Sequence, residues 1–221
     1  GGSLDPETGI IYIPLGSPSP NFNASTRQDT PNLYANHMVA VNITDGKMIW
    51  ATPFIESGTV LNVKVPDTHD WDAVETPVLV DGDFHGQPKK MLMQSSRNGY
   101  FFVLDRTNGK SLLTVPYGPV NWTLGVDKEG HPIPNPAKEP AADGRLIAPD
   151  EGGATNFWPP SFDPKTGLLI VNAKDGYGIY FYKPEHGAYG WAGADYGLAG
   201  RGFLRAIDYK TGKIAWEHPY P

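Results

Sequence analysis

Three carboxylates and a histidine surround one tryptophan in the segment Asp67-Thr68-His69-Asp70-Trp71-Asp72. A carboxylate can accept a proton from a substrate hydroxyl group, and its oxygens are ligands that calcium prefers. An apolar, strand-like run from Val74 to Val80 follows, so the acidic loop is expected to lie at the start of a β-strand. The segment predicts a polar site, although a solvated surface loop could carry the same charges.

A later basic turn, Ser96-Arg97-Asn98-Gly99, offers the opposite charge. A fixed guanidinium can stabilise negative charge that grows on reacting oxygens. We expect this turn to approach the acidic loop, with the Arg97 side chain facing the carboxylate of Asp72. A surface hairpin arginine is the alternative interpretation.

Composition narrows the class of protein. Among 221 residues there are 26 Gly, 22 Pro and 12% aromatic residues, which favours many short strands over long helices. The net charge of −6 argues against a nucleic-acid partner, because phosphate binding requires a basic face. The sequence contains no cysteine, so it has no disulfides, thiolate catalysis or zinc–cysteine sites.

Two turn patterns recur along the chain. The pattern apolar-x-(D/N)-x-x-(T/D/N)-G-K occupies residues 40–47, 103–110 and 206–213, and D-P-x-T-G occupies Asp5 to Gly9 and Asp163 to Gly167. In such turns the Asp or Asn side chain caps backbone amides, and Gly supplies a positive φ. The apolar residues on either side are then two strands of one antiparallel sheet.

Repeated hairpins at this spacing predict an all-β fold made of β-propeller blades. We expect about three four-stranded blades, at roughly 1–50, 74–116 and 154–221, with long loops at 17–36, 117–153 and 174–201. Three blades cannot close a ring, since propellers need about four to eight. We therefore expect residues 1–221 to be part of a larger propeller, and the isolated chain to self-associate through its open edges.

Longer motifs resemble those of the quinoprotein dehydrogenases, the pyrroloquinoline-quinone (PQQ)-dependent alcohol and sugar dehydrogenases. The resemblance implies an eight-bladed propeller in which residues such as Trp50 and Trp216 lock neighbouring blades. It runs nearly the whole length of the chain and is carried by five segments: Ile11 to Pro20, Asn32 to Asn36, His69 to Asp72, Arg97 to Gly109 and Gly153 to Gly167.

The resemblance also implies roles for individual residues. Asp72 matches the catalytic base, which is also a calcium ligand, and Ser17 stands at the position of a second calcium ligand. Arg97 matches the basic residue beside the quinone oxygens, and Asn156 matches an asparagine that hydrogen-bonds the quinone. The implied cofactors are therefore PQQ and Ca²⁺.

His69 and Asp70 are expected to orient Asp72 rather than to act directly.

Four positions depart from the family pattern. Many members carry Asn where Ser17 stands, and a serine hydroxyl is a weaker calcium ligand. The His69-Asp70-Trp71-Asp72 segment lacks one residue that relatives have between Asp and Trp, which could change the direction of Asp72. Val74 replaces the extra carboxylate of lanthanide-dependent relatives, which favours calcium. Phe157 replaces a tryptophan, an exchange that we expect to be tolerated.

The leading hypothesis is an enzyme that oxidises an alcohol or a sugar and passes electrons to a cytochrome c or a membrane quinone. The resemblance implies a periplasmic or secreted bacterial location. As an isolated piece, the chain is expected to be inactive. The alternative is a non-catalytic propeller that serves as a scaffold or binding module and has a degenerate quinone site.

Overall fold

The computed structural model describes residues 1–22, 33–55, 58–60, 63–65, 67–183 and 193–221. The expected loops 17–36 and 174–201 therefore lie partly outside the described residues. In these ranges no helix is long and apolar enough to cross a membrane.

The strands follow one another in chain order. The first sheet contains β1 (Ser3–Asp5), β2 (Ile10–Pro14), β3 (His37–Asn42) and β4 (Met48–Pro53), and a hairpin of β5 (Gly58–Val60) and β6 (Val63–Val65) follows. The second sheet contains β7 (Val78–Phe84), β8 (Gln87–Ser95), β9 (Tyr100–Asp105) and β10 (Ser111–Pro116). Next come β11 (Thr123–Val126), β12 (Pro132–Pro134), a 3₁₀ turn at Pro136–Lys138 and β13 (Arg145–Ile147). The remaining strands are β14 (Ser161–Asp163), β15 (Leu168–Asp175), β16 (Gly178–Tyr182), β17 (Gly193–Gly197), β18 (Arg201–Asp208) and β19 (Ile214–Pro219).

Three of the sheets are four-stranded and antiparallel, with the orders β1-β2-β3-β4, β10-β9-β8-β7 and β14-β15-β18-β19. The predicted all-β fold is therefore confirmed. The segments 117–153 and 174–201, which were expected as long inserted loops, contain the short strands β11, β12, β13, β16 and β17. Their strands are three to five residues long and rich in Gly and Pro, so they lack the alternating apolar pattern that marks the blade strands.

The second sheet is buried on both faces. In β9, side chains of Tyr100, Phe102 and Leu104 belong to the core shared with the first sheet, whereas those of Phe101 and Val103 belong to the core shared with the third sheet. This alternation follows from the two-residue period of a strand. The three sheets thus pack face to face in sequence, as neighbouring blades of a propeller do.

The repeated turns have the geometry that the sequence predicts. In the second sheet, Asp105 Oδ1 accepts a hydrogen bond from the Thr107 amide at 3.0 Å, and the Gly109 amide donates to Asp105 O at 2.8 Å. The first residue of each repeat then pairs across the hairpin with the residue three positions after its lysine: Ala40 with Trp50, Val103 with Leu113 and Ala206 with Trp216.

Two of these repeats contact the turn of the next sheet. Trp50 Nε1 donates to Arg106 O at 3.1 Å, and its ring lies against Gly109. Leu113 lies in the same way against the corresponding glycine of the third sheet, Gly212. Trp216, in contrast, is 42% exposed on the outer strand of the third sheet. Its expected role in locking a neighbouring blade stays a prediction, because no further blade lies beside this strand among the described residues.

The contact between Trp50 and Gly109 leads to a test by substitution. Gly109 has φ +75°, and an added Cβ would lie 2.7 Å from the Trp50 ring. Gly86 has a similar φ of +84° but no atom within 4 Å of an added Cβ. We predict that Gly86→Ala lowers the free energy of unfolding by about 1 kcal/mol, and that Gly109→Ala costs about 1–3 kcal/mol more because of overpacking. Urea denaturation measures both losses, and equal losses would contradict the packing described.

Candidate functional site

The acidic loop is held by the segments that follow the second sheet. Trp71 is fully buried, and its Nε1 donates to Asp150 O at 2.9 Å. His69 stacks on Trp71 with ring centroids 4.7 Å apart and planes 10° apart, and its Nε2 lies 3.0 Å from Lys138 O. These contacts fix the backbone on the N-terminal side of Asp72.

His69 is buried in its neutral form. Burial lowers the pKa of His69 to about 4, and the hydrogen bond with the Lys138 carbonyl opposes this shift. A neutral imidazole that contacts a carbonyl through Nε2 must carry its proton on that nitrogen. His69 therefore donates to Lys138 O and serves as an anchor for the loop.

The structure brings Asp72 and Arg97 together. Arg97 Nη1 donates to Asp72 Oδ2 at 3.2 Å, while Nη2 donates to the Glu151 carbonyl at 2.6 Å and to its carboxylate at 3.2 Å. The Arg97 side chain is 8% exposed and that of Asp72 is 36% exposed. One largely buried guanidinium thus bridges two carboxylates, and the Asp72 carboxylate remains open to solvent. The shortened spacing before Trp71 does not turn Asp72 away from Arg97.

Ser17 lies directly beside Asp72. Its backbone amide donates to Asp72 Oδ1 at 2.6 Å, and its hydroxyl oxygen accepts from Asn36 Nδ2 at 3.3 Å. A Cβ at Gly16 would lie 2.8 Å from Asp72 Oδ1, so the carboxylate occupies space that only a glycine leaves free. The Ser17 backbone and the Asp72 carboxylate are therefore in direct contact, and both side chains carry an oxygen that could bind a metal ion.

Asn36 links the three segments around this pair. It is fully buried, its Oδ1 accepts from the Ala73 amide at 3.0 Å, and its Nδ2 also donates to Asp67 Oδ2. Asn36 has φ +51°, a conformation that asparagine tolerates better than most residues. Asn36 ends one of the five segments that resemble the quinoprotein dehydrogenases, but the sequence alone assigned it no role. The available signal was an asparagine just before a predicted strand.

Three acidic side chains, those of Asp70, Asp72 and Glu151, lie close enough to the Arg97 guanidinium to interact with its charge. Burial raises the pKa of Asp70 to about 7, and the neighbouring Asp72 carboxylate adds to the rise, whereas Arg97 opposes it. Burial also raises the pKa of Glu151, again against the effect of Arg97. Sequence reasoning missed Glu151, since it lies 54 residues from Arg97 and no local pattern marks it.

The hydrogen bonds of the Asn156 side chain are made within its own turn, not with Asp72 or Arg97. Its Nδ2 donates to Gly152 O at 3.0 Å, and its Oδ1 accepts from the Phe157 amide at 2.9 Å. It lines a cavity of about 540 Å³ together with residues that include Trp158 and Lys174. The turn that carries Glu151 therefore has two sides, one at Arg97 and the other at this cavity.

The donor set fits part of a calcium site. Asp72 and Ser17 supply hard oxygens, the kind that calcium prefers, but calcium takes six to eight of them. Within the described ranges, no group of three or more His, Cys, Asp or Glu side chains is placed to hold a metal ion. Further oxygens would have to come from a cofactor or from other parts of the protein.

Comparison with known proteins shows the family to which this fold belongs. Residues 2–132 match the family model described as the beta-propeller domain of PQQ glucose/ethanol/alcohol dehydrogenases. The match covers more than half of the chain. The chain therefore belongs to this family of PQQ propeller proteins.

Individual relatives are similar over nearly the whole chain. The quinoprotein alcohol dehydrogenase PedH of Pseudomonas putida is 33% identical over 238 residues, which cover 99% of this chain and 37% of the relative. The crystal structure of quinohemoprotein alcohol dehydrogenase from Comamonas testosteroni superposes with a TM-score of 0.86 at 28% identity, covering 100% of this chain and 34% of that one. A europium-containing methanol dehydrogenase gives a TM-score of 0.85 at 26% identity, covering 99% and 38%. The chain spans about a third of the length of the relatives it matches.

The burial of neutral His69 leads to a prediction about acid stability. An unfolded histidine with a pKa of 6.5 binds a proton that the folded state, with a pKa of about 4, resists. The stability from burying His69 is complete above pH 6.5 and falls by about 3 kcal/mol as the pH drops to about 4. We expect His69→Phe, which keeps a ring against Trp71, to flatten this dependence in urea unfolding between pH 7 and pH 4. Parallel curves for the two proteins would contradict the prediction.

Proposed function

We propose that the chain is part of a PQQ- and calcium-dependent dehydrogenase that oxidises an alcohol or a sugar. The single observation that carries this proposal is the Asp72 carboxylate, which Arg97 and the Ser17 amide hold and which remains partly open to solvent. Membership of the PQQ propeller family supports the cofactor and the general kind of reaction.

Asp72 acts as the base in this proposal. Its carboxylate accepts the proton of the substrate hydroxyl group, the role for which a positioned carboxylate is suited. Hydrogen bonds at both of its oxygens fix its direction: Arg97 at Oδ2 and the Ser17 amide at Oδ1. Glu151 holds the other end of the guanidinium, so Arg97 stays in place when Asp72 takes up the proton.

The cofactor would be held by the same residues. Asp72 and Ser17 would supply oxygens to the calcium ion, and Arg97 would contact the quinone oxygens, with Asn156 at the far side of the same turn. When bound, the quinone supplies the acceptor for the two electrons that leave the substrate, and calcium supplies a Lewis acid. Arg97 would then stabilise the negative charge that reduction creates.

Calcium is proposed rather than a lanthanide because Val74 stands two residues after Asp72. Its Cγ1 lies 3.8 Å from the position of a Cβ on Gly16, so an aliphatic group borders the pair of oxygen donors. Lower ligand charge at this edge suits a divalent ion better than a trivalent one.

The remaining partners are proposed from the family and from exposed surfaces. The electron acceptor would be a cytochrome c or a membrane quinone, and the location the bacterial periplasm or exterior. The rest of the propeller would cover Trp216 and Tyr220 on the third sheet, and Met48 and Ile49 on the first, all of which are at least 42% exposed.

The role of Asp72 is tested by Asp72→Asn in the whole protein that contains this chain. With PQQ and calcium present, we expect kcat for ethanol or glucose oxidation, measured by dye reduction, to fall at least about 10³-fold, because the amide cannot act as a base. Asp143→Asn is the matched control, since Asp143 also pairs with an arginine, Arg145, at 2.6 Å but is 78% exposed. Wild-type protein that retains no quinone and oxidises no substrate would instead favour a non-catalytic propeller scaffold.

Removal of the metal tests the donor set. A chelator should abolish dye reduction, and added calcium should restore it, because Asp72 and Ser17 then regain their ion. Lanthanum at the same concentration should restore less than about a tenth of the rate, since Val74 offers no additional charge. Full recovery with lanthanum alone would contradict the assignment of calcium.

A further inference from the structure

Glu75 is a buried acid that the proposed reaction does not use. It lies three residues after Asp72, and only 2% of its surface is exposed. Its partner is Gln94, a fully buried residue near the end of β8. Gln94 Nε2 donates to Glu75 Oε2 at 3.2 Å and to Ala73 O at 3.1 Å.

The Glu75–Gln94 pair connects the segment that carries Asp72 with the strand that leads to Arg97. Glu75 belongs to the segment that carries Asp72, whereas Gln94 stands three residues before Arg97 on the strand that leads to it. The Glu75–Gln94 hydrogen bond therefore ties the segment that carries Asp72 to the strand that leads to Arg97.

We propose that Glu75 is a positioning residue for Arg97: its carboxyl group, paired with the Gln94 carboxamide, sets where the guanidinium meets Asp72. The inference rests on the proposed function, since it assigns Glu75 a part in the same site. Glu75 does not touch the reacting atoms and acts only through Arg97.

The hydrogen-bond pattern indicates that Glu75 is a neutral acid. Both hydrogens of Gln94 Nε2 are already donated, and among the described residues neither Glu75 Oε1 nor Gln94 Oε1 has a partner. A protonated Glu75 can donate its O–H to Gln94 Oε1, which gives a two-bond acid–amide pair. In agreement, burial raises the pKa of Glu75 to about 8, against the hydrogen bonds from Gln94 and the charge of Arg97.

Neutrality of Glu75 matters for the charge balance at Arg97. Asp72 and Glu151 already share this guanidinium, with Asp70 nearby. A further buried carboxylate would compete with Asp72 for the same cation. As a neutral acid, Glu75 can anchor Gln94 and the strand before Arg97 without drawing the guanidinium away from Asp72.

Three variants of the whole protein, loaded with PQQ and calcium, test the proposal. Glu75→Leu removes the pair at similar volume, and we expect kcat to fall about tenfold while KM changes less than about threefold, because a small displacement of Arg97 affects the reaction more than binding. Glu75→Gln can form the same two hydrogen bonds with Gln94 and should restore kcat to within about threefold of wild type. Thr52→Val is the control, since it removes a buried 2.7 Å hydrogen bond to Gly109 O outside the site and should leave kcat unchanged.

A double-mutant cycle shows whether Glu75 acts through Arg97. In an Arg97→Ala background, Glu75→Leu should change kcat by less than about twofold, because the group it positions is gone. The same tenfold loss in both backgrounds would overturn the proposal, and so would a Glu75→Leu enzyme with wild-type kcat. If Glu75→Gln lowers kcat as much as Glu75→Leu does, the proposal that Glu75 is a neutral acid paired with Gln94 is wrong.

A second readout separates this proposal from the proposed function. If wild-type protein shows no oxidation of alcohol or sugar with PQQ and calcium, the proposed function fails, and the cycle is read from urea unfolding instead. If Glu75 acts through Arg97, the double variant Glu75→Leu/Arg97→Ala should lose less free energy of unfolding than the two single variants lose in sum. Additive losses would show that Glu75 does not act through Arg97.

Discussion

The structure of the site depends on one shared cation. Arg97 is almost fully buried, and its guanidinium contacts both the Asp72 carboxylate and the carbonyl and carboxylate of Glu151. A buried charge is costly unless it is paired and hydrogen-bonded, so the carboxylates and the guanidinium require one another. This mutual requirement leaves the Asp72 carboxylate fixed in direction but partly open to solvent.

The fold supplies the rigidity that this pair requires. The second sheet is packed on both faces, and β8 leads from its core directly to the turn that carries Arg97. The acidic loop has no regular structure, but His69 and Trp71 anchor it to the segments around Lys138 and Asp150. Loops that carry polar groups on a rigid sheet scaffold are a common arrangement for binding and catalysis.

The sequence predicted the features that depend on neighbouring residues and missed those that depend on distant ones. The turns around Asp105 and Gly109 were predictable because capping and positive φ are local properties, and they define the four-stranded sheets. The contacts of Glu151 with Arg97 and of Asn36 with Ala73 join residues 54 and 37 positions apart, so no local pattern marks them. The strands within 117–153 and 174–201 were missed because they do not alternate in polarity.

A crystal structure of the whole protein grown with PQQ and calcium tests the central claim most directly. The account predicts a calcium ion about 2.3–2.6 Å from an Asp72 oxygen and a quinone oxygen about 3 Å from the Arg97 guanidinium. A structure in which the quinone binds elsewhere, with Asp72 and Arg97 still paired only with protein groups, would contradict it.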